Sequence, residues 1–323
     1  MEQRKPFLYM APIVGVTGCL YRNIYSKTFD GYDSAVMPFI ASCEASRFKA
    51  SYIRDILPER NSARFELVPQ ILSKHPKDFI VLAKAMFDLG YKDINWNLGC
   101  PFAKVRKKGR GSGLLSFPDE IISFLEEVLP VMDNQLSLKV RLGSENSHEL
   151  LKILPRLNDF PLKEIIIHPR TGKQEYKGNV DLAVFQECLS LTRHTIVYNG
   201  DIHSLEIFNA LEKQFSTIHR WMIGRGGITN PFLPEEIKGL PLSSGDERKK
   251  RFICFHNEIF SSYQKDLSGP AHVMDKMKEL WFYWSKAFLL GEEVYLKISR
   301  VKSLDKYAAV TEAFFQKNDS LTI

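Results

Sequence analysis

Short apolar segments recur along the chain up to residue 223, and most are followed by a stretch with helical periodicity. They have the length of buried β-strands, and polar residues and glycine concentrate at their carboxyl ends. The eight strand candidates are Phe7–Met10, Ser34–Met37, Phe65–Gln70, Asp93–Asn97, Leu136–Arg141, Glu164–His168, Thr195–Asn199 and Arg220–Ile223. The helical stretches are Asp78–Leu89, Pro118–Met132, Ser147–Leu157, Asp181–Leu191 and Ser204–Gln214. This alternation constrains the fold more than any other feature of the sequence.

The alternation predicts an α/β fold, a closed parallel (β/α)8 TIM barrel, because such a barrel needs eight strands that are each followed by a crossover. A doubly wound open sheet is the competing architecture, and it usually carries a glycine fingerprint after its first strand. Here that position reads Met10-Ala11-Pro12, with no G-x-G-x-x-G. The barrel is therefore favoured.

The pattern changes after Leu240. The P-L-S-S-G stretch from Pro241 to Gly245 is typical of a linker. Beyond it lie three segments with helical periodicity and no strand candidate, namely Asp246–Lys265, Ala271–Leu290 and Glu292–Gln316. We predict a catalytic TIM-barrel domain over residues 1–240 and a small all-α helical bundle over residues 241–323.

Composition excludes several classes of protein. Of the 323 residues, 44% are hydrophobic and 25% are charged, as in an ordinary soluble globular protein. No apolar run approaches the roughly 20 residues of a membrane helix, and the N-terminus lacks a signal-peptide pattern. We therefore expect a cytoplasmic protein without membrane contact, and a monomer. The net charge of +6 permits a polyanionic partner without identifying one.

The five cysteines are scattered and form no C-x-x-C pair, so neither a disulfide framework nor a bound metal is expected. Cys19, Cys43, Cys188 and Cys254 are predicted to be small buried hydrophobic residues. Cys100 differs, because Gly99 and Pro101 fix its backbone at the end of a strand. A thiol is mostly protonated at neutral pH and can serve as a general acid. Asn97, nearby, offers a donor and an acceptor to a planar amide edge.

Two glycine-rich strand ends indicate a phosphate site. In parallel barrels, chemistry takes place at the carboxyl ends of the strands, and phosphate often binds after strands seven and eight. Gly200 and the run from Gly224 to Gly227 would let backbone N–H groups approach an anion, with Arg225 as a charged donor. The alternative is that these are turn glycines needed only for backbone geometry.

Lys139 and His168 lie at neighbouring strand ends and are expected to face the barrel mouth. A cation there could stabilise negative charge on a cofactor ring or an enolate, or the lysine could form a Schiff base. A structural ion pair for Lys139 and a hydrogen-bonded structural imidazole for His168 remain alternatives.

A cationic run follows Cys100, with five cations in the seven residues from Lys104 to Arg110. It is either a solvated loop or a contact for a nucleic-acid backbone. Its glycines, Gly109, Gly111 and Gly113, suggest a mobile active-site loop. In the tail, the aromatic cluster from Trp281 to Trp284 lies among lysines, a pattern found more often in a core than in a base-stacking platform.

Taken together, the strand ends resemble the tRNA-dihydrouridine synthase family, flavoproteins that reduce uridines in tRNA. The matching elements, in the family's order across residues 7–232, are M-A-P from Met10, Val68-Pro69-Gln70, N-L-G-C-P from Asn97, K-K-G-x-G-S-x-L-L from Lys107, K-V-R-L-G from Lys139, I-H-P-R-T from Ile167, N-G-D-I from Asn199 and I-G-R-G from Ile223. The helical tail is similar to the family's RNA-recognition domain.

The resemblance implies FMN in the barrel mouth, NADPH as reductant and tRNA as partner. It implies that hydride passes from flavin N5 to uracil C6 and that Cys100 protonates C5. The implied cofactor-binding residues are Ala11, Pro12, Ile13, Gln70, Lys139, His168, Asn199, Gly200, Asp201, Gly224 and Arg225. The residues implied to face the target base or nearby tRNA are Asn97, Arg141, Arg170 and Tyr176, and the tRNA-contacting cations are Lys104, Arg106, Lys107 and Lys108.

Two other functions fit parts of the sequence. A flavin barrel acting on a free pyrimidine, like dihydroorotate dehydrogenase, would need neither the helical tail nor the cationic loop. A non-catalytic tRNA-binding module would not be expected to keep Asn97, Cys100, Lys139 and His168 together. The target is expected to be a D-loop uridine, and the segment from His272 resembles members that act at position 16.

Overall fold

The computed structural model describes residues 5–42, 53–241 and 243–317. Its strands form one sheet in which every pair is parallel. They are β1 (Phe7–Met10), β2 (Ser34–Val36), β3 (Ile40–Ala41), β4 (Glu66–Val68), β5 (Gln70–Leu72), β6 (Asp93–Leu98), β7 (Gln135–Gly143), β8 (Ile165–Thr171), β9 (Ile196–Tyr198) and β10 (Arg220–Ile223).

The sheet closes into a barrel although two of its strands are interrupted. Strand β2 pairs with β4 and β3 pairs with β5, so these four segments act as two strands. Only Pro69, which has no N–H to donate to a ladder, separates β4 from β5. Its carbonyl still accepts a hydrogen bond of 2.9 Å from the Asn95 N–H. With β10 paired to β1, the ring is complete, and the predicted (β/α)8 barrel is confirmed.

Strand alternation divides the residues between the barrel interior and the helical layer. The interior holds a separate apolar cluster of Tyr9, Ala11, Val36, Val68, Ile166, Val197 and Met222. Their neighbours in sequence pack outward with the helices. Above the apolar layer, Asn95 links Gln70 to Ser137 through hydrogen bonds of 2.7 and 2.8 Å. The inner face thus becomes polar toward the carboxyl ends of the strands.

The helices that cover the barrel follow the predicted order, with four additions among the described residues. They are α1 (Cys19–Thr28), α2 (Pro76–Asp88), α3 (Ala103–Arg106), α4 (Pro118–Val128), α5 (Glu149–Leu157), α6 (Leu182–Leu191), α7 (Leu205–Gln214), α8 (Arg225–Thr229) and α9 (Leu233–Ile237). Helices α1, α3, α8 and α9 were not predicted. Helix α4 ends earlier than expected, because a 3-10 turn, Leu129–Val131, follows it.

The tail contains four helices where three were predicted: α10 (Gly245–Asp266), α11 (Pro270–Trp284), α12 (Gly291–Arg300) and α13 (Leu304–Lys317). The third predicted segment is divided after Arg300, where Val301 adopts an extended backbone. The predicted linker is partly a helix start, since Ser244 Oγ accepts a hydrogen bond of 3.3 Å from the Glu247 N–H.

The tail packs directly on the barrel. The ring of Phe255 on α10 meets Tyr21 and Tyr25 of α1 edge-on, at 5.6 and 6.2 Å between centroids. These rings belong to the same hydrophobic cluster as the outer layer of the barrel. The core is therefore continuous across residue 240, and the division into two domains stays a prediction.

Among the described residues, no helix is long and apolar enough to cross a membrane. Cys19 and Cys188 are buried as predicted, whereas Cys254 is exposed. The prediction for Cys254 is wrong because α10 is amphipathic: its buried positions include Phe252 and Phe255, which leaves residue 254 on the solvent face. Cys43 lies outside the described residues.

Candidate active site

A cavity of about 490 Å³ opens at the carboxyl ends of the barrel strands, a size typical of small-molecule sites. Most of the residues singled out from the sequence line it. They are Ala11, Pro12, Ile13, Asn97, Cys100, Lys139, Arg141, His168, Tyr176, Asn199, Gly200, Asp201, Gly224 and Arg225. Segments distant in sequence meet here because parallel strands end at the same rim.

Cys100 is held in place by its own loop and by the glycine-rich run that follows. Asn97 Oδ1 accepts hydrogen bonds from the N–H groups of Gly99 and Cys100, at 3.1 and 2.8 Å. The Cys100 carbonyl accepts from both the hydroxyl and the N–H of Ser112, at 2.9 and 3.1 Å. Asn97 therefore shapes the cysteine loop in addition to lining the cavity.

Gly111 packs against Cys100 from behind. Its φ is 56°, and a Cβ atom there would lie 2.8 Å from the Cys100 Cβ. Gly113 is likewise buried against the carbonyl of Arg106. Close packing therefore accounts for Gly111 and Gly113, because a side chain at Gly111 would meet Cys100 and one at Gly113 would meet the Arg106 backbone. The mobile loop stays a prediction.

The thiol of Cys100 is only 6% exposed. Burial raises its pKa above the ordinary value, against the opposing effect of Arg141 and Lys139 nearby. The thiol therefore stays protonated at neutral pH, which is the state required of a proton donor.

Lys139 is half-buried and has no acidic partner among the described residues. Its Nζ donates to Asn199 Oδ1 at 2.8 Å, and in the part of the chain that the structure describes no carboxylate lies within 4.0 Å of it. Burial, with Arg141 as the second cause, lowers the pKa of Lys139 to about 7. The structural ion pair considered for Lys139 is thus excluded among the described residues.

His168 is a neutral imidazole in this site. Burial, followed by the charges of Arg141 and Lys139, lowers its pKa well below the usual value. Its Nε2 lies 3.1 Å from Arg170 Nη1. Because a guanidinium can only donate, Nε2 is the acceptor and the ring proton resides on Nδ1.

The carboxylate of Asp201 binds the cations around it. This pairing bears on two expectations, that Asp201 binds the cofactor and that Arg170 faces the base. Its carboxylate accepts from Arg170 Nη1 and Nη2 at 3.0 and 2.5 Å, and from Arg225 Nη2 at 3.1 Å. Although burial opposes it, hydrogen bonds from His203 and Arg170 hold the pKa of Asp201 well below its usual value. A carboxylate this firmly ionised repels phosphate, so only the backbone of Asp201 suits an anion site.

Arg170 does not line the cavity, contrary to the expectation that it faces the base. Besides Asp201, its guanidinium donates to the Gly178 carbonyl at 2.6 Å, and the residue is almost fully buried. Gln70 does not line the cavity either. It is fully buried and accepts a hydrogen bond of 2.7 Å from Asn97 Nδ2, so it supports Asn97 from below rather than meeting a ligand.

Arg141 ties two loops of the site together. Its Nε donates to the Gly99 carbonyl at 3.0 Å, and its Nη1 donates to the carbonyls of Thr171 and Glu175 at 2.7 and 2.5 Å. The adjacent Tyr176 ring lies between two guanidinium groups, at 5.3 Å from Arg141 and 5.0 Å from Arg225. Arg141 thereby connects the Cys100 loop to the Tyr176 loop.

The predicted cationic run lies outside the cavity. Lys104, Lys107 and Lys108 are exposed, so their charges are open to a partner. Arg106 is mostly buried and forms an ion pair of 2.6 Å with Glu145. Its charge is therefore largely neutralised within the protein, which separates it from the three lysines.

Several residues that line the cavity were not predicted as site residues, among them Val14, Phe39, His203, Glu279, Phe282 and Tyr283. The last three belong to α11, which reaches over the barrel mouth from the tail. The aromatic cluster from Trp281 to Trp284 pointed to this helix, but the local sequence could not show which of its rings are buried and which line the cavity. In the structure Trp281 and Trp284 are fully buried, while Phe282 is exposed toward the cavity.

Comparison with known proteins identifies the family. A model of the family described as "Dihydrouridine synthase (Dus)" matches residues 9–290, most of the chain. The chain belongs to the dihydrouridine synthase family.

Curated members of this family match along most of their length. "Probable tRNA-dihydrouridine synthase 2" of Bacillus subtilis (strain 168) is 24% identical, over 98% of this chain and 96% of its own. "Probable tRNA-dihydrouridine synthase" of Rhodobacter capsulatus is 29% identical, over 81% of this chain and 82% of its own.

Solved structures agree on the fold of this dihydrouridine synthase family member. The old yellow enzyme homologue from Zymomonas mobilis has a TM-score of 0.53 at 12% identity, over 74% of this chain and 90% of that one. A morphinone reductase mutant in complex with tetrahydroNAD has a TM-score of 0.51 at 11% identity, over 75% of this chain and 89% of that one. At such identity the likeness concerns the fold alone.

The donors that this family member presents in the cavity fit a flavin phosphate. The backbone of Gly224 borders the cavity, and a Cβ atom added there would be in ordinary contact, 3.6 Å from Ala11 Cβ and 3.9 Å from Ile13 Cδ1. A helix leaves its first N–H groups without intrahelical partners, and α8 begins at Arg225. No group of three His, Cys, Asp or Glu residues suited to a metal is found in the residues that the structure describes.

Proposed function

We propose that the protein is a tRNA-dihydrouridine synthase that reduces the C5–C6 bond of a D-loop uridine, with FMN as cofactor and NADPH as reductant. The observation that carries this proposal is the protonated thiol of Cys100, facing the same cavity as the unpaired ammonium of Lys139, in a dihydrouridine synthase family chain. Bound FMN would supply the hydride that C6 receives.

The cofactor would be held by two sets of residues. Ala11, Pro12 and Ile13 offer backbone and apolar contacts on one side of the cavity. The backbone at Gly200 and Gly224, with the guanidinium of Arg225, suits the phosphate. Lys139, held by Asn199, provides positive charge for an electron-rich ring.

The proton for C5 comes from Cys100. When the thiol gives it up, the thiolate is left near the charges of Lys139 and Arg141, both of which favour the anion. Solvent restores the proton after the product leaves. Arg141 and Asn97 hold the loop that carries the thiol, so the proton is delivered from a constrained position.

The tRNA would approach over the rim formed by α11 and the loops after the strands. A uridine within a folded tRNA must leave its stack to reach a cavity of this depth. Tyr176 is half exposed at the rim and would contact the base. Lys104, Lys107 and Lys108 would meet phosphates, and residues 241–323 would orient the tRNA on the barrel of residues 1–240.

The test is dihydrouridine formation by the purified holoenzyme. We expect the protein to bind FMN and to form dihydrouridine when it is given NADPH and tRNA that lacks the modification. Free uracil and orotate serve as competing substrates. If a free pyrimidine were turned over while tRNA was not, the enzyme would act on small molecules. If tRNA bound without any turnover, a binding function would replace the proposal.

A further inference from the structure

The exposed phenylalanine on α11 has no role in the chemistry described above. Phe282 is 47% exposed and lines the same cavity as Cys100. Its neighbours Trp281 and Trp284 are fully buried and fill the core of the tail. The helix therefore already has its apolar anchors, and Phe282 lies on the opposite side, at the rim.

The Phe282 ring is held in a fixed position. Tyr283 and Tyr295 meet it edge-on, with centroids at 5.2 and 6.0 Å. The ammonium of Lys286 lies 4.5 Å from the ring centroid. In the described part of the chain no carboxylate lies within 4.0 Å of Lys286, so its charge is not neutralised there. The rim thus presents an ordered ring beside an available cation.

This combination suits one nucleotide of a single strand. Unstacked bases bind to proteins by stacking on aromatic side chains, and lysines contact the adjoining phosphates. A nucleotide whose base enters the cavity brings its covalently linked neighbours to the rim, where Phe282 lies. The continuity between this ring and the cavity therefore identifies its occupant as a base of the same strand.

We propose that Phe282 and Lys286 form a stacking site for an unpaired base adjacent to the target uridine. The proposal rests on the proposed function, because it takes tRNA as the substrate. It predicts that the enzyme requires two unstacked nucleotides: one in the cavity beside Cys100 and one on Phe282.

The first test compares variants of the rim in steady-state assays with tRNA. Because stacking on an aromatic side chain contributes roughly tenfold or more to binding, Phe282→Ala should raise KM for tRNA by about that factor, with a smaller change in kcat. Phe282→Tyr should restore KM, and Lys286→Gln should raise it by less. Leu289→Ala is the matched control, since Leu289 is 70% exposed in the same region and does not line the cavity. It should behave as wild type.

The second test removes the base instead of the ring. Once the modified uridine is mapped, tRNAs with an abasic residue on its 5′ or 3′ side are assayed with wild type and Phe282→Ala. With the wild-type enzyme, one of the two abasic tRNAs should show the same rise in KM that Phe282→Ala causes with intact tRNA. With Phe282→Ala, the KM for that abasic tRNA should rise no further. The stacking site would be overturned if Phe282→Ala raised KM by its full factor on both abasic tRNAs, or if it did not raise KM on intact tRNA. Absence of dihydrouridine with wild type would instead overturn the proposed function.

Discussion

The two ends of the barrel both bury charged side chains, but they treat the charge differently. At the amino ends of the strands, Glu164 is paired with Arg220 at 3.2 Å and accepts a hydrogen bond of 2.7 Å from the Tyr9 hydroxyl. Lys163 is paired with Asp93 at 2.8 Å. At the carboxyl ends, Arg141 is buried and Lys139 is half-buried, and among the described residues neither has a carboxylate within 4.0 Å.

The difference shows which end is built for stability and which for a ligand. Each buried charge at the amino end finds its partner within the protein, as a stable fold requires. An uncompensated buried cation is costly and persists where an external anion completes it. Four tests of this contrast separate effects on activity from effects on stability.

The largest effect is expected at Cys100. Cys100→Ala removes the proton donor at the mouth, so dihydrouridine formation should fall by about two to four orders of magnitude while FMN stays bound. Product analysis of tRNA and flavin absorbance are the two measurements. Cys254→Ala, which alters an exposed cysteine on α10, is the control and should be fully active. Turnover by Cys100→Ala near the wild-type rate would remove the thiol from the mechanism.

The second test replaces an arginine by glutamine at each end of the barrel. Arg141→Gln releases the loops of Cys100 and Tyr176, so the rate should fall by about a hundredfold through misplacement of the thiol. Arg220→Gln should leave the rate unchanged. It leaves Glu164 buried without its cation and should lower the free energy of unfolding by about 1–3 kcal/mol, since Arg220 itself is partly exposed.

Urea unfolding and single-turnover rates, measured on both variants, give the complete comparison. Equal losses of activity from Arg141→Gln and Arg220→Gln would show that the amino and carboxyl ends of the barrel do not divide stability and activity between them.

The third test concerns the unpaired ammonium. Lys139→Met removes a half-buried charge, so the protein without FMN should gain about 1–3 kcal/mol in unfolding free energy while its FMN affinity falls about tenfold. The pKa of Lys139 is about 7 in the folded state and higher when unfolded, so the unfolded chain binds more protons between these values. Wild-type stability without FMN should therefore rise with pH above 7.

Urea unfolding at pH 7 and pH 9, with FMN titrations, measures both effects. The Lys139→Met variant should lack this part of the pH dependence, and an identical pH profile would assign it to other groups.

The smallest effect is expected on the surface beside the mouth. Lys107→Gln should weaken tRNA binding a few-fold and lower the slope of log affinity against log salt by about 1. The control is Lys152→Gln on α5, which removes an exposed lysine from a helix outside the rim. Filter binding over a range of salt concentrations measures the slope. Equal slopes for the two variants would mean that the loop after Cys100 does not contact the RNA.

Local pattern was sufficient to predict much of the site. Period-two alternation along β7 turns Lys139 and Arg141 to the same face, and the carboxyl end of that strand faces the mouth. The same argument predicted the position of His168. The family resemblance, not alternation, implied that Arg170 faces the target base. Arg170 does not line the cavity, and its guanidinium is held by Asp201, 31 residues away in sequence.

The tail shows the same limit on a larger scale. Apolar periodicity predicted helices, but the break after Arg300 and the exposed cysteine of α10 depend on which faces meet other helices. Phe282 could not be distinguished from its tryptophan neighbours, because only the approach of α11 to the barrel decides which rings are covered.

The sequence by itself determined the barrel, the order of its strands and most of the residues at its mouth. These features depend on periodicity and chain connectivity, which act over short distances along the chain. Only the tertiary structure decided which charges are paired and which helix covers the mouth. Pairing and coverage depend on distances between segments far apart in sequence, and those distances exist only once the barrel has closed and the tail has packed against it.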